Sequence, residues 1–425
     1  MKKTIKYMIL AFAAAATALA CNEWTEPEKA MPSDLVNNPK DETYYANLRA
    51  YRDSDHPIMM GYWQGWGGAS ASLRNSLMGL PDSLDIVSMW GAGFNYSESQ
   101  KADLKEAQEK KGVKCLLVFI AHSIGTQITP SWVTAASAEN PVTLRDRDTG
   151  EEIVCTDGLS ARRVFWGMDP GDGPRNTAEM NAKAVRAAER YADSLCHIIN
   201  NVLELDGFDW DFEYGYSVGD NIGDLIGDHS TYCSKAQAHD RVLAFCKRMR
   251  EGLGDKIFMI DGVPQYLAAP EACVYFDYFA QQAYTRLASG NGGSLCDTDA
   301  NMDTRTRNMV NAFQAYLPVD FICNRTIMLE SFEAANPSWT YDGVSMLGGK
   351  TWTFRDGTKM NGDECGMGTF EGMAMWNPVI NGVQYRKGGI GAYLLNNDYT
   401  PRMGGFSNTY PQTRRAIQIM NPAVL

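Results

Sequence analysis

Residues 207–213 read Gly-Phe-Asp-Trp-Asp-Phe-Glu, an alternation with a period of two. Successive side chains of a β-strand point to opposite faces. Phe208, Trp210 and Phe212 therefore share one face, and Asp209, Asp211 and Glu213 share the other. The aromatic face needs a covering layer of helices, which turns the acidic face toward the inside of whatever the strand helps to enclose. Acids two residues apart lie about 6–7 Å apart along a strand. At that range like charges raise one another's pKa, and partial burial raises them further. A fold gains no stability from such stacking, so a chemical role is the natural explanation. A calcium loop of the EF-hand kind needs a glycine at its sixth position and a distant Glu, and a solvated edge would not place Phe, Trp and Phe between the acids.

The rest of the chain supplies the enclosure. Short apolar runs at 58–62, 84–89, 113–120, 207–213, 257–260, 275–283, 326–329 and 389–395 predict eight strands. Between the third and fourth, Ala184, Ala188, Tyr191, Leu195, Ile198 and Val202 follow helical spacing. Between the fourth and fifth, Ala238, Val242, Phe245, Met249 and Leu253 do the same, with Gly254 as a stop. Strands alternating with helices over this length predict an α/β fold, a single (β/α)8 TIM barrel with long strand-to-helix loops. The long loops are expected at 125–175 and 331–372, where such loops build a binding cleft. No glycine-rich phosphate loop supports the alternative, a doubly wound open sheet.

The expected domains are a signal peptide over 1–20, a lipidated N-terminal tether over 21–55 and the barrel over 56–425. Lys2, Lys3 and Lys6 precede an apolar stretch from Met8 to Ala20, too short and wrongly flanked for a stable membrane span. Ala18, Leu19, Ala20 and Cys21 resemble a bacterial lipobox with Cys21 as the lipidated residue, which implies an exported lipoprotein of the outer membrane, held at the cell surface. The segment after it is polar, acidic and proline-containing, the composition of a tether with room for one short helix. The formal charge of −12 argues against a nucleic-acid partner, whose affinity comes from Lys and Arg. Nine further cysteines are scattered with no CxxC or Cys/His cluster. They read as buried thiols with room for some disulfides, and a zinc site is not expected.

The run Asp206 to Glu213 resembles the DGxDxDxE signature of glycoside hydrolase family 18, with all five fixed positions present on the fourth strand. That family contains chitinases, endo-β-N-acetylglucosaminidases acting on N-glycans, and inactive lectin-like members. The resemblance implies substrate-assisted retaining catalysis without metal or cofactor. Glu213 would be the general acid and then the base, Asp211 would orient the substrate's acetamido group, and Asp209 would tune Asp211. The nucleophile would be the acetamido oxygen, so no second enzyme carboxylate need attack. Tyr284, after Gln282 at the end of the sixth strand, is similar to the family tyrosine that donates to that oxygen.

Two departures select a branch. The third strand, 115–123, lacks the SxGG motif usual in chitinases, and the eighth ends with Tyr393 where they carry Trp. Residues 391–398 and the Glu213–Tyr214 pair resemble the endoglycosidase H and F type. The expectation is an endo-β-N-acetylglucosaminidase cutting the GlcNAc-β1,4-GlcNAc core of N-glycans, with a GlcNAc-containing oligosaccharide as partner. The alternatives are an inactive glycan-binding lipoprotein on the same fold and a chitinase. Trp63, Trp90, His122, Gln282, Tyr393 and Asn396 are expected substrate contacts. Tyr62 and Trp66 are candidate stacking platforms, Asp261 and Glu330 candidate partners of sugar hydroxyls, and Trp132, Trp166, Trp339 and Trp352 candidate contacts to glycan branches, each open between cleft and core.

Overall fold

The computed structural model describes residues 40–171, 177–213, 222–227, 234–284, 296–332, 340–341, 344–345, 351–361, 368–399 and 409–422. Eight parallel strands close into a barrel: β1 Ile58–Trp63, β2 Ile86–Met89, β3 Lys114–Ile120, β4 Gly207–Phe212, β5 Ile257–Gly262, β6 Tyr278–Gln282, β7 Thr326–Ser331 and β8 Gly389–Tyr393. Each pairs with its neighbours in chain order, and β8 returns to β1 with Gly389 opposite Ile58. All eight coincide with an expected apolar run.

Period-two alternation sorts the core into two layers. Ile58, Met60, Tyr62, Ile86, Leu116, Val118, Met259, Ala280, Ile327 and Leu329 fill the barrel interior. Phe208, Trp210, Phe212, Phe258, Ile260, Phe279 and Met328 belong to the larger layer between strands and helices. Trp210 meets Phe245 of the Lys235–Leu253 helix edge-on, with ring centroids 5.2 Å apart. That helix begins on a Ser234–Gln237 capping box, in which side chains satisfy otherwise orphaned backbone donors. Tyr191 of the Ala178–His197 helix stacks on Phe245 at 5.7 Å, joining the two long helices.

Gly207 is where β4 can approach β5. A Cβ there would lie 2.0 Å from the Ile257 carbonyl oxygen. Gly207→Ala is therefore expected to open the β4–β5 ladder at its start and to lower the thermal midpoint. An unchanged melting curve would show that the strands separate without cost.

Several expectations are corrected. Between β1 and β2, and between β5 and β6, the chain runs through 3-10 turns with no α-helix, so strand–helix alternation is incomplete. Val202 is exposed although it continues the helical stripe. The stretch Ile198–Val202 is a π-turn, whose wider turn carries the stripe off the buried face. The segment assigned to a tether contains a helix, Glu42–Arg52, capped by Asp41. Its Arg52 donates to the carbonyls of Leu84, Asp82 and Lys111 beside the entry of β2 and β3. This helix packs on the barrel through those contacts, and one short helix is what that segment had room for.

The 125–175 insertion is also more ordered than a polar loop. It holds a hairpin, Val142–Arg145 with Glu152–Cys155, and the helix Gly158–Trp166. Val133, Ala136, Cys155, Ala161 and Val164 form a small core of its own. The seven described cysteines after residue 40 are free and buried, and Cys233 and Cys365 lie outside the described residues.

Candidate active site

The acidic face of β4 opens into the barrel. Asp209 is fully buried and accepts a 2.6 Å hydrogen bond from Ser88 Oγ of β2. Asp211 stands one turn of the pleat higher, in register with Ile120 of β3 and Asp261 of β5. Glu213 follows the end of β4 and is half-buried. Gln282, the last residue of β6, ties these groups together. Its Nε2 lies 3.1 Å from Asp261 Oδ1 and 3.4 Å from both Asp211 Oδ1 and Glu213 Oε1. A single amide thus faces three carboxyls at the C-terminal ends of parallel strands, where barrel sites lie.

Asp206 of the same run does different work. Its Oδ2 accepts from the Cys115 backbone N–H at 2.9 Å and from Gln108 Nε2 at 2.8 Å. It pins the start of β4 to β3, below the acids.

Burial dominates the protonation of the set. Asp209 is pushed up to about 6 by burial, against which the hydrogen bond from Ser88 acts to lower it. Burial also holds Asp211 well above the carboxylate range, with Glu213 and Asp209 adding repulsion. Asp261 is raised by burial and then by Asp211 and Asp209. The Tyr284 hydroxyl is raised by burial and by Asp261 and Asp211, which keeps it a donor. His122, two residues beyond β3, is lowered by burial and held neutral.

A carboxyl whose folded pKa exceeds its unfolded value binds its proton more tightly in the native state. Its contribution to stability is full below the unfolded pKa and is lost as pH rises through the folded one. For Asp209 that window runs from its ordinary 3.8 to about 6. Thermal melts from about pH 4 to about pH 7 should show the unaltered protein losing stability relative to Asp209→Asn as pH rises. Parallel curves would mean that Asp209 does not titrate in that window.

Aromatic rings floor the same opening. Tyr62, Trp90 and Tyr393 meet edge-on, with centroids 5.9–6.4 Å apart. Tyr284 stacks on Tyr393 at 5.9 Å. The structure thus brings Asp209, Asp211, Glu213, Gln282, Tyr284, Trp90 and Tyr393 together.

It does not bring Trp63 there. β1 extends through Trp63, so strand alternation turns Tyr62 inward and Trp63 outward, where it is 1% exposed in the layer under the helices. Glu330 is likewise buried on the outer face, opposite Ala392. Trp66 donates to Asp103, Trp166 to Thr129 and Trp352 to Asp299, each as a buried structural ring. Asn396, in a turn after β8, donates to Asn397. Trp132 is 54% exposed on the inserted helix Ser131–Thr134, and Trp339 lies outside the described residues. Sequence reasoning passed over Ser88, whose only signal is a hydroxyl inside the apolar strand 86–89.

A closed parallel barrel with carboxyls and aromatic rings gathered at its C-terminal mouth is the architecture of a barrel glycosidase. The chain belongs to glycoside hydrolase family 18: the family model "Glycoside hydrolase family 18, BT1044-like" matches residues 25–149 and 172–419. It is thereby a member of a glycoside hydrolase family. Among solved structures, a Glu-to-Gln variant of BT1044 is 22% identical, with a TM-score of 0.60 over 93% of this chain and 98% of that one. The endo-β-N-acetylglucosaminidase of Cordyceps militaris is 18% identical, with a TM-score of 0.50 over 91% of this chain and 98% of that one. At these identities the likeness concerns the fold. No curated protein sequence matches the chain.

Proposed function

We propose that the protein is a surface-anchored endo-β-N-acetylglucosaminidase that hydrolyses the GlcNAc-β1,4-GlcNAc core of N-glycans by substrate-assisted retention. The observation that carries this reading is the Gln282 amide shared by Asp211, Asp261 and Glu213 at the barrel mouth. Glu213, the least buried of the acids, gives a proton to the glycosidic oxygen as the bond to C1 breaks. The carbonyl oxygen of the substrate's own 2-acetamido group attacks C1 and closes an oxazolinium ring. Asp211 receives the acetamido N–H, and the Tyr284 hydroxyl donates to its oxygen. Glu213, now ionised, takes a proton from the water that opens the ring at C1. Trp90 and Tyr393 supply flat apolar surface for the sugar ring.

The endoglycosidase reading over the chitinase reading rests on Tyr393 at the end of β8 and on the third strand without its SxGG motif. Anchoring is proposed through a lipid on Cys21.

The test is to incubate the chain lacking its first twenty-one residues with an N-glycoprotein and, separately, with chitooligosaccharides. Mass spectrometry should show intact glycan released and one GlcNAc left on each asparagine. Cleavage of chitooligosaccharides alone would make the protein a chitinase, and glycan binding with no cleavage would make it a lectin.

A further inference from the structure

Residues 150–171 fall between the two stretches matched to family 18, so the family's common pattern does not account for them. They hold the second strand of the hairpin, Glu152–Cys155, and the helix Gly158–Trp166. With Ser131–Thr134 and Val142–Arg145 they make a small folded unit in the loop that leaves β3, at the barrel end where the acids lie. The unit is fastened from within and from the barrel. Trp166 donates to Thr129 Oγ1 at 2.8 Å, and Arg147 donates to the Phe165 carbonyl at 2.8 Å. Lys183, Arg186 and Arg190 follow one another along one face of the Ala178–His197 helix. Lys183 pairs with Asp169 at 2.7 Å, Arg186 pairs with Asp148 at 2.8 Å, and Arg190 donates to the Trp166 carbonyl at 3.0 Å.

The unit closes its own core without Trp132, which stands outside that cluster. The indole is 54% exposed, the most exposed large aromatic ring among the described residues. It meets Phe165 edge-on with centroids 6.3 Å apart, so a packed neighbour places it while more than half of it meets water. Ser131 and Thr134, in the same turn of helix, are exposed and polar. A protein partner would want a contiguous apolar patch. A single flat ring among hydroxyls suits a sugar, whose C–H face covers the ring while its own hydroxyls reach the polar surround.

We propose that Trp132 is a specificity-determining residue, which stacks on a sugar ring in an arm of the glycan, away from the bond that is cut. This rests on the glycosidase reading of the site and extends it to the choice of substrate. The ring stands on a unit already fixed to the barrel, so little ordering is needed when an arm binds. Trp132 touches no reacting atom. Its contacts are the same before and during the chemical step, so they lower KM for an intact glycan and leave kcat alone.

The test uses a high-mannose and a biantennary complex N-glycopeptide, each beside the same peptide trimmed to its trimannosyl core. Trp132→Ala should raise KM for at least one intact glycan about tenfold, with kcat held and with kcat/KM on the trimmed core within about twofold. Trp132→Phe keeps a ring and should recover part of the loss. Because the indole is mostly in water, thermal melts of both variants should keep the original midpoint. Titration calorimetry in a Glu213→Gln background makes the same comparison without turnover. There Trp132→Ala should weaken binding of the intact glycan about tenfold and leave binding of the core unchanged. This arm separates the two readings, because a protein that cuts no glycan can still show that difference. Equal losses on intact and trimmed glycans, no loss on either, or no glycan bound at all would each overturn the proposal.

Discussion

Glu213→Gln is expected to lower kcat on the glycan substrate by about 10²–10⁴-fold while binding persists. The substitution keeps the length of the side chain and an acceptor oxygen for the Gln282 amide, which now lies 3.4 Å from Glu213 Oε1. What it removes is the proton. The glycosidic oxygen then leaves without an acid, and the water that opens the oxazolinium ring finds no base. The aromatic floor of Trp90, Tyr393 and Tyr284 is untouched, so calorimetric titration of the variant with a released glycan should give a dissociation constant within a few-fold of the unaltered protein's. Glu213 is half-buried at the mouth, and its loss should leave the thermal midpoint nearly where it was. A variant that turns over at the original rate would remove Glu213 from the chemistry and return the acid role to the other carboxyls.

Trp210→Ala should produce the opposite pattern, a large loss of stability with a smaller loss of chemistry. The indole is fully buried and meets Phe245 at 5.2 Å and Phe212 at 5.3 Å, and its N–H donates to the Ala121 carbonyl. Truncation leaves a cavity between β4 and the Lys235–Leu253 helix, and such changes cost about 3–5 kcal/mol. Urea titration should show the midpoint fall with the slope unchanged. Below the transition the variant should keep far more activity than Glu213→Gln, because Asp209 and Asp211 point away from the indole. Equal loss in both variants would mean that the outer face positions the acids as well as holding the strand.

These two substitutions lie three residues apart, and their contrast follows from a local property of the chain. Which side chains of β4 hold the fold and which face the cavity is legible in 207–213, because a strand turns each residue over relative to the last. The eight strands were legible for a similar reason, since each is a short apolar run bounded by polar turns. Trp63 shows the limit. Whether it faced the cleft depended on where β1 ends, and only pairing with Met89 of β2 extends the strand through it. The missing helices after β1 and β5 were illegible because 3-10 turns carry no long periodic stripe. The helix Glu42–Arg52 carries a capping aspartate, but its docking depends on carbonyls 30 to 59 residues away.

The sequence by itself determined that a strand would carry three acids on one face, that helices would cover the other, and that family 18 was the family to expect. Those are consequences of nearest neighbours along the chain. The tertiary structure decided which groups the acids meet. Ser88 reaches Asp209 across 121 positions of sequence, and Asp261 stands beside Asp211 only because the barrel sets β4 and β5 in register. Protonation follows distance through space and the loss of water around a charge. No spacing along the chain encodes either, and so the neighbours that act on these acids became visible only once the barrel was closed.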